Sequence, residues 1–168
     1  MTYLKSLLLV ILVVFITSVS GIICLPAAAE IRQFHESPGK LLYKSQWTLK
    51  DQAGKSWQAI AFQVRPSDPL QPGFRVQLRL VGFPNSVTLN PTKPLQLDDR
   101  QQFFTASSIS TNLPPGAIGQ FDLQPILLQL NPKTPLYLTL TAEDESTVDL
   151  KVPPFLVEEW QALPNRFQ

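Results

Sequence analysis

Apolar and polar positions divide the chain into one long apolar run followed by a series of short alternating segments. Residues 7–24 are apolar except for Thr17, Ser18, Ser20 and Gly21, and they follow a single positive charge at Lys5. Pro26 and the alanines Ala27, Ala28 and Ala29 close this segment before Glu30. A charged start, an apolar middle, a helix-breaking proline and small residues at the junction predict a secretory signal peptide cleaved between Ala29 and Glu30. The alternative is an uncleaved anchor, since the run approaches the roughly 20 residues that span a bilayer. Alanines suit a peptidase better than they suit the flank of an anchor. Cys24 is a poor lipid-attachment site, because Ile22 and Ile23 precede it where a small residue is needed.

Residues 30–40 are polar and read as a flexible N-terminal arm. From Leu41 the period becomes two: Leu41, Tyr43, Ser45, Trp47 and Leu49 alternate with Leu42, Lys44, Gln46, Thr48 and Lys50, the pattern of a half-buried strand. Residues 51–55 form a hairpin loop in which Gly54 can take a positive φ. The second strand runs over residues 56–64, with Trp57 near its start and Ile60, Phe62 and Val64 on one face. After Pro66, Pro69, Pro72 and Gly73, residues 74–83 make the cleanest strand. There Phe74, Val76, Leu78 and Leu80 alternate with Arg75, Gln77, Arg79 and Val81.

Short strands are expected at residues 87–89 and 95–97 and around Phe103 and Phe104, with 106–112 as a surface loop. Leu123, Ile126, Leu127 and Leu130 have helical spacing, and Asp122 is a suitable N-cap, so a helix is expected from Asp122 to the stop at Asn131 and Pro132. Residues 135–142 and 147–152 form a second hairpin. Pro153 and Pro154 open a C-terminal helix with Leu156, Trp160 and Leu163 on one face. The sum is an antiparallel β-sandwich or small open barrel of about seven or eight short strands with two short helices. One β-rich domain is expected over residues 41–168.

Composition narrows the chemistry. Cys24 is the only cysteine, so cleavage leaves a domain with no disulfide, thiol nucleophile or thiolate ligand. Lys5 is the one charge in the first 29 residues, which leaves 13 Lys/Arg against 13 Asp/Glu. A neutral domain of this kind lacks the basic excess of a nucleic-acid binder, and membrane contact is expected only if the signal stays attached.

Candidate sites are few. His35, the only histidine, falls in the arm and cannot form a zinc site alone. Ser107, Ser108 and Ser110 cluster without the glycine frame of a nucleophile elbow. The acid clusters Asp98-Asp99 and Glu143-Asp144-Glu145 fall in turns, where they solvate the chain. Trp47, Trp57, Phe62 and Phe74 lie on adjoining strands and form either core or the lining of a cavity for a small apolar ligand. Lys44 and Lys50 share one face of a strand, as do Arg75 and Arg79, which makes either a solvated sheet face or a docking face for an acidic protein.

Four stretches carry a resemblance: LYKSQWTLKDQAGKSWQAIAF at 42–62, LRLVGFP at 78–84, GQFDLQP at 119–125 and VPPFLVEEWQ at 152–161. Together they resemble a family of small exported cyanobacterial proteins known only as a domain of unknown function. The resemblance implies a cyanobacterial source and export to the periplasm or thylakoid lumen. It brings no activity, cofactor or site residue. The expectation is therefore a non-enzymatic accessory domain that works through another protein, a membrane complex being one candidate. An apolar-ligand carrier is the alternative, and a hydrolase is the remote third.

Overall fold

The computed structural model describes residues 32–37, 40–64 and 75–167. The segment expected to be a signal peptide, its expected Ala29–Glu30 cleavage junction and Phe74 lie outside them. The described residues form nine strands: β1 (Arg32–Ser37), β2 (Lys40–Lys50), β3 (Ser56–Val64), β4 (Arg75–Val81), β5 (Leu95–Asp98), β6 (Phe103–Ala106), β7 (Ile118–Asp122), β8 (Leu136–Thr141) and β9 (Thr147–Val152). Among the described residues one α-helix, α1 (Pro154–Ala162), follows β9.

The strands form two antiparallel sheets, one five-stranded in the order β1-β2-β3-β4-β7 and one four-stranded in the order β6-β5-β8-β9. They do not close into a barrel. The sheets meet at two seams, each carried by an isolated bridge: Asp51 with Leu150, and Ser108 with Phe121. The second seam is reinforced by Ile109 N–H donating to the Gln120 carbonyl (2.8 Å) and Asp122 N–H to that of Ser107 (3.0 Å). Residues 107–110, expected as a surface loop, thus carry β6 across to β7.

Alternation along each strand fills one core. In β3 the inward residues are Trp57, Ala59 and Ala61; in β4, Val76, Leu78 and Leu80; in β8, Leu136, Leu138 and Leu140. All belong to a single buried cluster that includes residues of both sheets. Pro154 starts α1 at a position where a missing N–H does no harm. The helix buries Leu156, Val157 and Trp160, and its Phe155 meets Trp47 edge-to-face at 5.3 Å. Gln161 Nε2 donates to the carbonyls of Leu127 and Leu130, which ties α1 to the chain beneath it.

Three expectations need correction. Residues 30–40 are more than an arm, since Arg32–Ser37 pairs with β2 through a register irregularity between His35 and Ser37. That irregularity breaks the alternation by which a strand is recognised. Residues 87–89 make only a bridge, Leu89 to Ala142. The helix expected from Asp122 is a 3₁₀ turn at Leu127–Gln129, because Asp122 ends β7 and Leu123 N–H still donates to the Val76 carbonyl in the sheet. The spacing nevertheless places Leu123, Ile126, Leu127 and Leu130 together, all buried.

Candidate functional site

The outer face of the five-stranded sheet gathers the charged residues expected to dock a partner. Cross-strand register sets them in rows. Lys44 stands opposite Phe62, which stands opposite Gln77 and then Asp122. In the next row Gln46, Ile60, Arg79 and Gln120 are successive partners. Lys50 faces Ser56 at one end of the sheet, and Arg75 faces Val64 at the other.

Side-chain bonds knit these rows laterally. Arg79 donates through Nε (2.9 Å) and Nη2 (2.6 Å) to Gln120 Oε1, and Gln120 Nε2 donates to Gln77 Oε1 at 2.7 Å. The Arg79 guanidinium lies over the Phe62 ring, 5.4 Å from its centroid, a contact worth about 0.5–1 kcal/mol at a partly exposed site. Arg75 pairs with Asp122 at 3.0 Å. Lys50 Nζ donates to Ser56 Oγ at 2.7 Å, and Gln46 Nε2 donates to Gln58 Oε1. Against these four cations, Asp122 is the one acid that β2, β3, β4 and β7 place on this face. Ile60, Phe62, Val64, Val81 and Ile118 stand between the charges, each only half-buried. An outward sheet face ordinarily carries polar residues at such positions.

Of the four aromatic residues proposed to line a cavity, the three among the described residues do not share one face. Trp57 is 1% exposed, points into the core and donates from Nε1 to Asp51 Oδ2 at 3.1 Å. Phe62 lies on the opposite face of β3, five positions on, as a period of two requires. Trp47 points inward and packs under Phe155 of α1. The signal that separates Phe62 from the two tryptophans is its parity with Ile60 and Val64, which places it outside. Asp122, a helix cap by local sequence, instead faces Arg75.

The other polar clusters serve the fold. Ser110 Oγ accepts from Gln120 N–H (2.9 Å) and donates to the Gln120 carbonyl (3.1 Å), while Ser108 Oγ donates to the Pro91 carbonyl. Asp99 is buried. Burial pushes its carboxyl up, but N–H groups of Gln102, Gln101 and Asn131 outweigh this and hold it below the ordinary carboxylate range. In the 143–145 turn, Glu145 pairs with Lys93 and Asp144 accepts from Ser146. Among the described residues no group of three or more His, Cys, Asp or Glu converges as metal ligands, and no helix is long and apolar enough to cross a membrane.

Comparison with known proteins adds one decisive match. The profile of the family described as "Protein of unknown function (DUF3122)" matches residues 29–163. The chain belongs to this family. No curated protein and no solved structure matches the chain. The family match therefore covers the whole of both sheets and α1, and it brings no assigned activity to the outer face.

Proposed function

We propose that this protein is an exported, non-enzymatic accessory domain that docks an acidic surface of another protein through the outer face of its five-stranded sheet. The observation that carries the reading is the arrangement around Phe62: half-buried apolar residues interleaved with Lys44, Lys50, Arg75 and Arg79 on one face of an otherwise charge-balanced domain. Apolar residues in the centre supply affinity on desolvation, and flanking cations supply orientation and encounter rate. Hydrogen bonds that brace Arg79 reduce the side-chain ordering needed on binding.

Export rests on the form of residues 1–29, and the family match begins at Ala29, where that segment ends. The compartment we propose is the periplasm or thylakoid lumen of a cyanobacterium. We also infer that the two sheets stack as a sandwich, since residues of both share one core cluster.

The test uses the tagged chain and a doubly charge-reversed variant, Lys44→Glu with Arg79→Glu, as parallel baits for solubilised membranes. The expected result is a partner retained by the native bait at low salt and lost from the variant and in high salt. Retention of the same proteins by both baits overturns the docking face.

A further inference from the structure

A second site lies at the hairpin end of the same sheet and does not depend on the docking reading. Two clefts meet there, of about 190 and 310 Å³, the larger within the size range of small-molecule sites. Both are lined by Lys55 and Ser86. The larger is walled by Lys55, Ser56, Phe83, Pro84, Asn85 and Ser86.

We propose that this cleft binds a small organic anion: a carboxylate joined to a flat apolar body. Phe83 is 67% exposed and forms part of the wall of the larger cleft, one of several large apolar side chains that the described residues leave in solvent. It is held there by a braced turn. Ser86 donates to the Phe83 carbonyl from both its N–H (3.2 Å) and its Oγ (2.7 Å), and Gly82 N–H donates to the Ala117 carbonyl. Asn85 takes a φ of 59° to close that turn, a conformation that asparagine tolerates better than most residues. The braced turn holds the Phe83 backbone in place, so the ring is presented as a stacking surface without ordering of the loop on binding.

The charge comes from Lys55. Its Nζ makes no hydrogen bond or contact ion pair among the described residues; it acts on the neighbouring Asp51 carboxylate only through space, and that carboxylate takes its hydrogen bonds elsewhere. Asp51 Oδ1 accepts from the N–H groups of Ala53 (2.9 Å) and Lys55 (2.8 Å), and Oδ2 accepts from the Trp57 indole. Lys50, bonded to Ser56 Oγ, adds a second cation at the rim. An anion seated on Lys55 thus places its apolar body against Phe83 and Pro84, and the Ser86 and Asn85 side chains stand along the remaining wall.

The probe is 1-naphthoate, followed by amide chemical shifts of the full mature chain, with uncharged 1-naphthamide as the matched control. Naphthoate is expected to shift residues 52–56 and 82–87 in a saturable manner. Naphthamide, Lys55→Gln and Phe83→Ala are each expected to weaken binding about tenfold, the scale of one charge-assisted contact or one stacking surface. Both substituted side chains are exposed, so a native amide spectrum confirms that each variant is folded, and Lys151→Gln on the other sheet serves as the charge control. No saturable shift at millimolar naphthoate overturns the site. So do equal binding of naphthamide, shifts confined to other residues, or a loss in Lys151→Gln equal to that in Lys55→Gln.

Discussion

Gly82→Ala is expected to destabilise the domain by about 1–3 kcal/mol, and only while Trp57 is present. A Cβ added at residue 82 meets three atoms of the Trp57 ring at 2.8, 2.8 and 2.9 Å, well inside the 3.4 Å at which ordinary contact begins. The ring has nowhere easy to go, since it is 1% exposed and its Nε1 is tied to Asp51. Overpacking of this kind costs about 1–3 kcal/mol, and stretching the indole hydrogen bond adds up to about 1 kcal/mol. Against these stands the gain from a less flexible unfolded chain, about 0.4–1 kcal/mol. The balance remains unfavourable. Urea unfolding at equilibrium measures it, in a cycle with Trp57→Phe and the double variant. Trp57→Phe is destabilising by itself, because it opens a void and leaves Asp51 Oδ2 without its donor. In that background the smaller ring leaves room for the new methyl, so the Gly82→Ala cost should fall to about zero, a coupling of at least about 1 kcal/mol. Equal costs of Gly82→Ala in the two backgrounds would refute the reasoning, whatever their size.

The polar staples and the N-terminus yield further expected outcomes. Asp99→Asn presents an amide to three backbone donors and should cost about 1–3 kcal/mol at neutral pH, read by the same urea titration. Asp99 and Asp51 are both held below the ordinary carboxyl value. For Asp51, burial raises the carboxyl, but the Trp57 indole, the N–H groups of Lys55 and Ala53 and the Lys55 charge together outweigh this and lower it. A depressed folded value stabilises above the unfolded one, so stability should hold down to about pH 5 and then fall as the pH drops through and below about 4. Asp99→Asn should flatten that acid limb, and an unchanged slope would remove Asp99 as its source. Ser110→Ala deletes both bonds to Gln120 and should cost about 1–2 kcal/mol, with hydrogen exchange rising at Gln120 and Asp122 first. Expression in an exporting host should yield a chain whose N-terminal sequencing begins at Glu30; a chain retaining the first 29 residues would reinstate the anchor.

Alternation makes the sheets legible. Val76, Leu78 and Leu80, and Leu136, Leu138 and Leu140, declare a buried face by period alone, and each is buried as expected. Long-range pairing is what local pattern misses. Nothing local marks residues 118–122 as a strand, because Gly119 contributes no side chain to the pattern and the segment is held by β4 and by Ser110. The Asp122 helix fails for the mirror-image reason: its spacing is real, but the sheet claims Asp122 and Leu123 before a helix can start. For the outer face, the four cations are visible as two pairs on two strands. The register that sets Phe62 between them depends on β3, whose even positions are outward by their parity against Trp57 alone.

The position of β1 has a bearing on the order in which the molecule is assembled. It is the outer strand of its sheet and begins only two residues after Glu30, a reach of about 7 Å at most. On the export route proposed above, machinery engaged with residues 1–29 would hold Arg32–Ser37 beside it and away from β2. The strand made first would then be the last to be added, and removal of the proposed leader would be the step that completes the sheet.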